Sequence, residues 1–164
     1  MIHLEKIDAR NVWDIVDLQV AEEQEDFVSS NGDSIIEAYT TPGTGCTAIP
    51  FGIYEDEEPV GFVMVGYNEG ALHAFEGDEV SQVWFDNYSL WRIMIDENHQ
   101  RKGYGRAAME LALDFIRTKP CGEAEYCVLS YEPENEVARK LYASLGFVET
   151  GVIDHDEMVA VLKL

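Results

Sequence analysis

Apolar residues recur along this chain at two spacings, alternate positions and positions three or four apart, and the spacing switches in blocks. Residues 2–7 predict a short strand, with Ile2, Leu4 and Ile7 inward. Val12, Ile15, Val16 and Val20 follow at helical spacing behind Asn11, a good helix cap. A second helical piece is expected over Ser34–Tyr39, broken by Thr41-Pro42-Gly43. Ala48–Tyr54 and Pro59–Tyr67 read as two strands joined by the polar turn Glu55–Glu58, hence a hairpin. Residues 68–83, with Gly70, Gly77 and scattered acids, read as a long loop, and Trp84–Asp96 as a strand. Tyr104, Ala108, Leu111 and Phe115 predict a helix ended by Pro120 and Gly122. Tyr126–Ser130 is a further strand. Asn135 then opens a helix lined by Val137, Leu141 and Leu145 and stopped by Gly146. Phe147–Val152 and Met158–Leu164 close the chain as strands. This order predicts a mixed α/β sandwich around a central sheet, without the strict alternation of a doubly wound fold.

At 164 residues, 46% of them apolar and 26% charged, the chain is expected to form a single domain over 1–164. Met1 to Lys6 is charged within five residues, and no apolar run approaches a membrane span, so neither a signal peptide nor a membrane helix is expected. Cys46, Cys121 and Cys127 are few, odd in number and without metal-ligand spacing, which fits a reducing cytoplasm and no metal.

Charge adds direction. Eleven Lys and Arg stand against 32 Asp and Glu, a net −21, which argues against nucleic-acid and acidic-membrane partners. Between Asn11 and Trp91 there are 17 acids and no Lys or Arg, whereas four cations fall between Arg92 and Arg106. Either the acidity serves solubility, or the chain handles two substrates of opposite charge.

The second option gains from the segment Gln100-Arg101-Lys102-Gly103-Tyr104-Gly105-Arg106, placed between a strand and a helix. Two glycines one residue apart let a ligand approach the backbone. The helix behind them offers free N–H groups and the positive end of its dipole, a cradle for a pyrophosphate. The P-loop pattern and the third glycine of a dinucleotide fingerprint are both missing. Farther on, Asn135 and Tyr142 lie seven apart, so an amide and a phenol share one side of a helix.

Gln-x-x-Gly-x-Gly at 100–105, followed by Asn135, Leu141-Tyr142 and Gly146-Phe147, resembles the acetyl-CoA-binding core of GNAT acyltransferases. Leu90–Asp96 and the Asn135/Tyr142 pair look most like the diamine and polyamine acetyltransferases. The resemblance implies a mostly antiparallel sheet flanked by helices, acetyl-CoA as co-substrate and, by family likeness, a homodimer. Backbone amides of Arg101, Lys102, Gly103, Tyr104, Gly105 and Arg106 would hold the pyrophosphate. Ile93 and Ile95 would pair with the pantetheine arm, and Asn135 would bind the same arm. Lys140 would sit near the nucleotide, the Met94 amide would polarise the thioester, and Tyr142 would protonate the leaving thiolate.

An alkylammonium of pKa about 10.4 must lose a proton before it can attack. Glu22, Glu23 and Asp86 are the candidate bases, none singled out by the sequence. The resemblance places the acceptor site among the first helices and the strands before the glycine loop. Glu22, Glu23, Trp84, Asp86 and Trp91 would recognise a small polycationic amine such as spermidine or spermine there. Acceptors of another kind stay open: a protein N-terminus, a lysine, an amino acid or an aminoglycoside. So does a non-catalytic CoA-binding module.

Overall fold

The computed structural model describes residues 1–164. Its core is one seven-stranded sheet. β1 (Ile2–Lys6) pairs with β2 (Thr47–Glu55), and β2 turns through Asp56, whose φ is 54°, into β3 (Glu58–Tyr67). β3 pairs with β4 (Tyr88–Ile95). β5 (Tyr126–Tyr131), β6 (Val148–Asp154) and β7 (Glu157–Lys163) complete the order β1-β2-β3-β4-β5-β7-β6. Every pairing is antiparallel except β4 with β5.

Five helices cover the sheet. α1 (Val12–Val16), α2 (Asn31–Thr40) and α3 (Glu69–Glu76) lie on one face together with an acidic 3-10 segment, Glu22–Phe27. α4 (Tyr104–Arg117) and α5 (Glu136–Ser144) cover the other. Residue alternation along the strands fixes the two sides. Val63, Leu90, Leu129 and Ala160 meet α4 through Ala108, Met109, Ala112, Leu113 and Ile116. Phe62, Met64 and Met94 meet Ile15 of α1, while Val128 and Val159 meet Trp84.

The structure departs from the sequence reading in instructive places. α1 stops at Val16 because the Gln19 N–H is given to Asp96 Oδ2, 3.1 Å away, instead of continuing the helix. α2 starts before Ser34, at Asn31, because Ser30 Oγ caps it by accepting from the Asp33 N–H at 3.1 Å. Residues 69–76 are helical rather than loop. Gly70 there packs so tightly on Phe85 that a Cβ would come within 2.7 Å of the ring, and Gly77, at φ 89°, ends the helix. β4 begins at Tyr88 rather than Trp84, since Trp84 closes a 3-10 turn and Asp86 takes a φ of 54°. The buried stripe of α4 runs through Met109 and Leu113 rather than Leu111, and Val137 of α5 is 75% exposed. No helix is long and apolar enough to cross a membrane.

Candidate functional site

β4 and β5 form a fork. They pair only at Tyr88 with Cys127 and at Ser89 with Val128, and beyond these residues the strands diverge. Tyr88 pins the closed end: its hydroxyl donates to the Gly122 carbonyl at 2.9 Å and accepts from the amides of Cys121 and Gly122. At the β3 edge the register skips Trp91, passing from Leu90 opposite Val65 to Arg92 opposite Met64. Trp91 is thus a bulge residue, which re-aims the backbone at the fork.

The glycine loop lies at the open end. Arg101 has φ 63° and Gly103 φ 82°. Gly103 caps α4, whose first bond runs from the Ala107 N–H to the Gly103 carbonyl, so the amides just before Ala107 find no partner in the helix. A Cβ on Gly105 would lie 3.8 Å from Ile95 and 3.9 Å from Leu141, so this glycine sits where β4, α4 and α5 converge. Gln100 donates to the Ile95 carbonyl at 3.0 Å, which occupies one of the groups expected to meet a pantetheine arm. Lys102 Nζ lies 5.9 Å from the Tyr104 ring. Arg106 is committed to Glu110 at 3.1 Å and Ser144 at 2.6 Å, so it ties α4 to α5 instead of reaching freely into the loop.

On α5, Asn135 acts as the cap: its Oδ1 accepts from the Ala138 N–H at 3.2 Å, leaving its amide nitrogen for another partner. Lys140 is exposed on the same helix. Tyr142 packs on Tyr131 and Phe147, with ring centroids 5.6 and 6.1 Å away. Burial, then the charge of Glu157 and the Tyr131 phenol, pushes Tyr142 up to about 12. The phenol therefore keeps its proton at neutral pH. A cleft of about 410 Å³ opens beside it, between α5 and β6.

The residues expected to recognise an acceptor divide. Glu22 and Glu23 are exposed on the acidic 3-10 segment, and Gln24 beside them accepts from Gln100 Nε2 at 2.6 Å, so this segment lies at the open end of the fork. Trp91 also belongs there, stacked with Arg92, whose guanidinium carbon is 5.9 Å from its ring. Trp84 and Asp86 do not. Trp84 is 7% exposed, and its indole N–H donates to Asp154 at 2.9 Å, so it is a satisfied core residue. Asp86 is exposed in the turn before β4, at the opposite end of that strand from the glycine loop.

Three arrangements were not legible in the sequence. Arg92 pairs with Glu37 of α2 at 3.2 Å. Ser89 Oγ donates to Glu69 at 2.6 Å, and Glu69 faces His73 at 3.7 Å. Ser130 Oγ donates to Glu157. The Arg92–Glu37, Ser89–Glu69 and Ser130–Glu157 contacts each join residues at least 20 apart, beyond any local pattern.

Residues 12–147 match the family model described as Acetyltransferase (GNAT) family. A ribosomal protein bS18 alanine N-acetyltransferase of Escherichia coli (strain K12) is 36% identical over 83 residues, 51% of this chain and 52% of that protein. Its counterpart in Salmonella typhimurium is 33% identical over 73 residues, 44% and 47% of the respective chains. The chain thus spans about half the length of the curated relatives it matches. Among solved structures, PaiA N-acetyltransferase from Thermoplasma acidophilum in complex with coenzyme A aligns at TM-score 0.66 and 13% identity, over 100% of this chain and 99% of that one. An aminoglycoside acetyltransferase bound to coenzyme A aligns at TM-score 0.74 and 12% identity, over 99% and 95%. At these identities the solved structures establish a shared fold.

Proposed function

Because the chain belongs to the acetyltransferase (GNAT) family, we propose that it transfers the acetyl group of acetyl-CoA directly to a primary amine. The observation that supports this reading is the fork itself, with the unpaired amides of the glycine loop at the start of α4 and, on α5, the protonated phenol of Tyr142 packed on Tyr131 of β5. The residues fit the co-substrate. Amides before Ala107 and the dipole of α4 suit its diphosphate, and Lys102 and Lys140 supply counter-charge. The open edge of β4 past Ser89 and the Asn135 amide nitrogen suit the peptide-like arm.

Transfer needs a neutral amine at the thioester carbonyl. The amine lone pair forms the C–N bond as the C–S bond breaks, and Tyr142 gives its proton to the departing thiolate. A backbone N–H of β4 near Met94 stabilises the oxyanion.

For the acceptor, the reading favours a di- or polyamine. Glu22 and Glu23 stand at the fork in the half of the chain without cations, and Trp91 offers an aromatic face. The alanine N-acetyltransferases at 36% identity favour a second acceptor, the N-terminus of a protein. The protein is further read as a homodimer of a reducing compartment. Thiol release from acetyl-CoA, measured with spermidine, spermine, putrescine, an alanyl peptide and kanamycin, tests both acceptors. Turnover of the peptide alone removes the polyamine reading. No coenzyme A binding by calorimetry removes acetyl transfer itself.

A further inference from the structure

Where the fork opens, β4 and β5 each hold a serine that hydrogen-bonds a glutamate from elsewhere in the chain: Ser89 with Glu69, Ser130 with Glu157. Ser130 lies two residues beyond Val128, the last residue of β5 paired to β4, and so beside the gap. It alternates with Leu129 and Tyr131, which face α4 and α5, and shares its side with Val128. Glu157 stands in the same relation to Val159, the register partner of Ser130. Both therefore belong to the face of the sheet that carries α1, α2 and the acidic 3-10 segment, opposite the helices that bear the glycine loop and Tyr142.

The two glutamates differ in access. The Glu69 side chain is 8% exposed, held between Ser89 and His73. Glu157 is half-buried and has one carboxylate oxygen on Ser130, which leaves the other for a partner. Its charge is one of the causes that raise Tyr142. β5, the strand beside the gap, thus carries on one face Tyr131, on which Tyr142 packs, and on the other Ser130, which holds the Glu157 carboxylate.

We propose that Glu157, oriented by Ser130, is the base that takes the proton from the acceptor ammonium. This rests on the acetyl-transfer reading above. The proton moves from the amine nitrogen to the free carboxylate oxygen, and the lone pair so released attacks the carbonyl carbon. The C–S electrons leave on sulfur, which collects the Tyr142 proton; the surplus proton on the new amide nitrogen passes through solvent to restore Tyr142, and Glu157 gives its proton up to solvent. Ser130 is a positioning residue.

The test compares wild type, Glu157→Gln and Ser130→Ala, using the amine that wild type turns over fastest in the panel above, across pH 6 to 9.5. Glu157→Gln is expected to lower kcat about 10²-fold or more near neutrality. Its dissociation constant for coenzyme A should stay within about twofold of wild type, and its rate should recover toward wild type as rising pH supplies free amine. Ser130→Ala should lose about 3- to 10-fold, the worth of one ordinary hydrogen bond. Full activity of Glu157→Gln near neutrality overturns the proposal, as does a loss that does not recover with pH. A wild-type protein that fails to bind coenzyme A overturns both this and the underlying reading, which separates the two failures.

Discussion

Gln100 and Gln24 meet side chain to side chain, Nε2 to Oε1, at 2.6 Å, and the same Nε2 reaches the Ile95 carbonyl at 3.0 Å. One amide group thereby fixes the acidic 3-10 segment against the end of β4. Replacing Gln24 with Ala removes the link without touching the glycine loop. A hydrogen bond of this kind is worth about 0.5–1.5 kcal/mol. The expected outcome is an acceptor KM raised about 2- to 10-fold with coenzyme A affinity unchanged, read from steady-state kinetics and calorimetry.

Gly105 and Gly103 should respond differently to Ala. Gly105 is in the first turn of α4, and a Cβ there meets only ordinary contacts at 3.8 and 3.9 Å. Ala is the better helix former by about 1 kcal/mol at most, so Gly105→Ala should raise Tm slightly. In the proposed reading the same Cβ stands where the diphosphate approaches the backbone, so coenzyme A affinity should fall 10-fold or more. Gly103→Ala places a side chain at φ 82° and should lower stability by about 1 kcal/mol. Paired melting and titration curves check both signs.

Asp96 knits three segments together. It accepts from the Gln19 amide at 3.1 Å and the Asn98 amide at 3.0 Å, and it contacts His99 at 3.1 Å. Burial pushes its carboxyl up, but hydrogen bonds from Gln19, Asn98 and His99 outweigh this and hold it below its ordinary value of 3.8. A depressed acid stabilises the fold above its unfolded pKa, and that contribution is lost as pH falls through the folded value. Asp96→Ala should cost about 1–3 kcal/mol at neutral pH. It should also flatten the acid arm of the stability curve below pH 4, measured by denaturant titration.

On the alkaline side the sign reverses. Burial raises Cys46 from 9.0 to about 12, and burial with neighbouring charge raises Tyr142 from 10.0 to about 12. Tyr131, buried and donating to Glu149 at 2.6 Å, is likewise raised to about 12. Groups neutral in the fold but ionisable in the open chain stabilise fully below their unfolded values. That stability drains as pH climbs from about 9 through about 12. Circular dichroism against pH should show an alkaline transition in this window, coinciding with tyrosinate absorbance.

What the sequence disclosed followed its physics. The β2–β3 hairpin and α5 were legible because a polar turn and the Asn135 cap act within a few residues. So was the β4–loop–α4 passage, since glycine spacing is a local backbone property. α3 was not, because Gly70 reads as a helix breaker until Phe85, fifteen residues on, is seen to require it. Trp84 looked like a site residue for the opposite reason. Its place in the core depends on Val128, Asp154 and Val159, none of them near it in sequence. Ser130 and Glu157 carry no motif, and only strand register brings them together.

Two residue pairs hold the halves of the sheet to each other at the fork. A strand edge in the middle of a protein would ordinarily recruit another strand, yet this one lies between helices on both faces. Amide protons of β4 beyond Ser89 should therefore trade with solvent far faster than those of β3 next to them. They should slow sharply once an extended, amide-bearing molecule lies in the gap. The weakest seam in the molecule is then the place where binding does most to rigidify it.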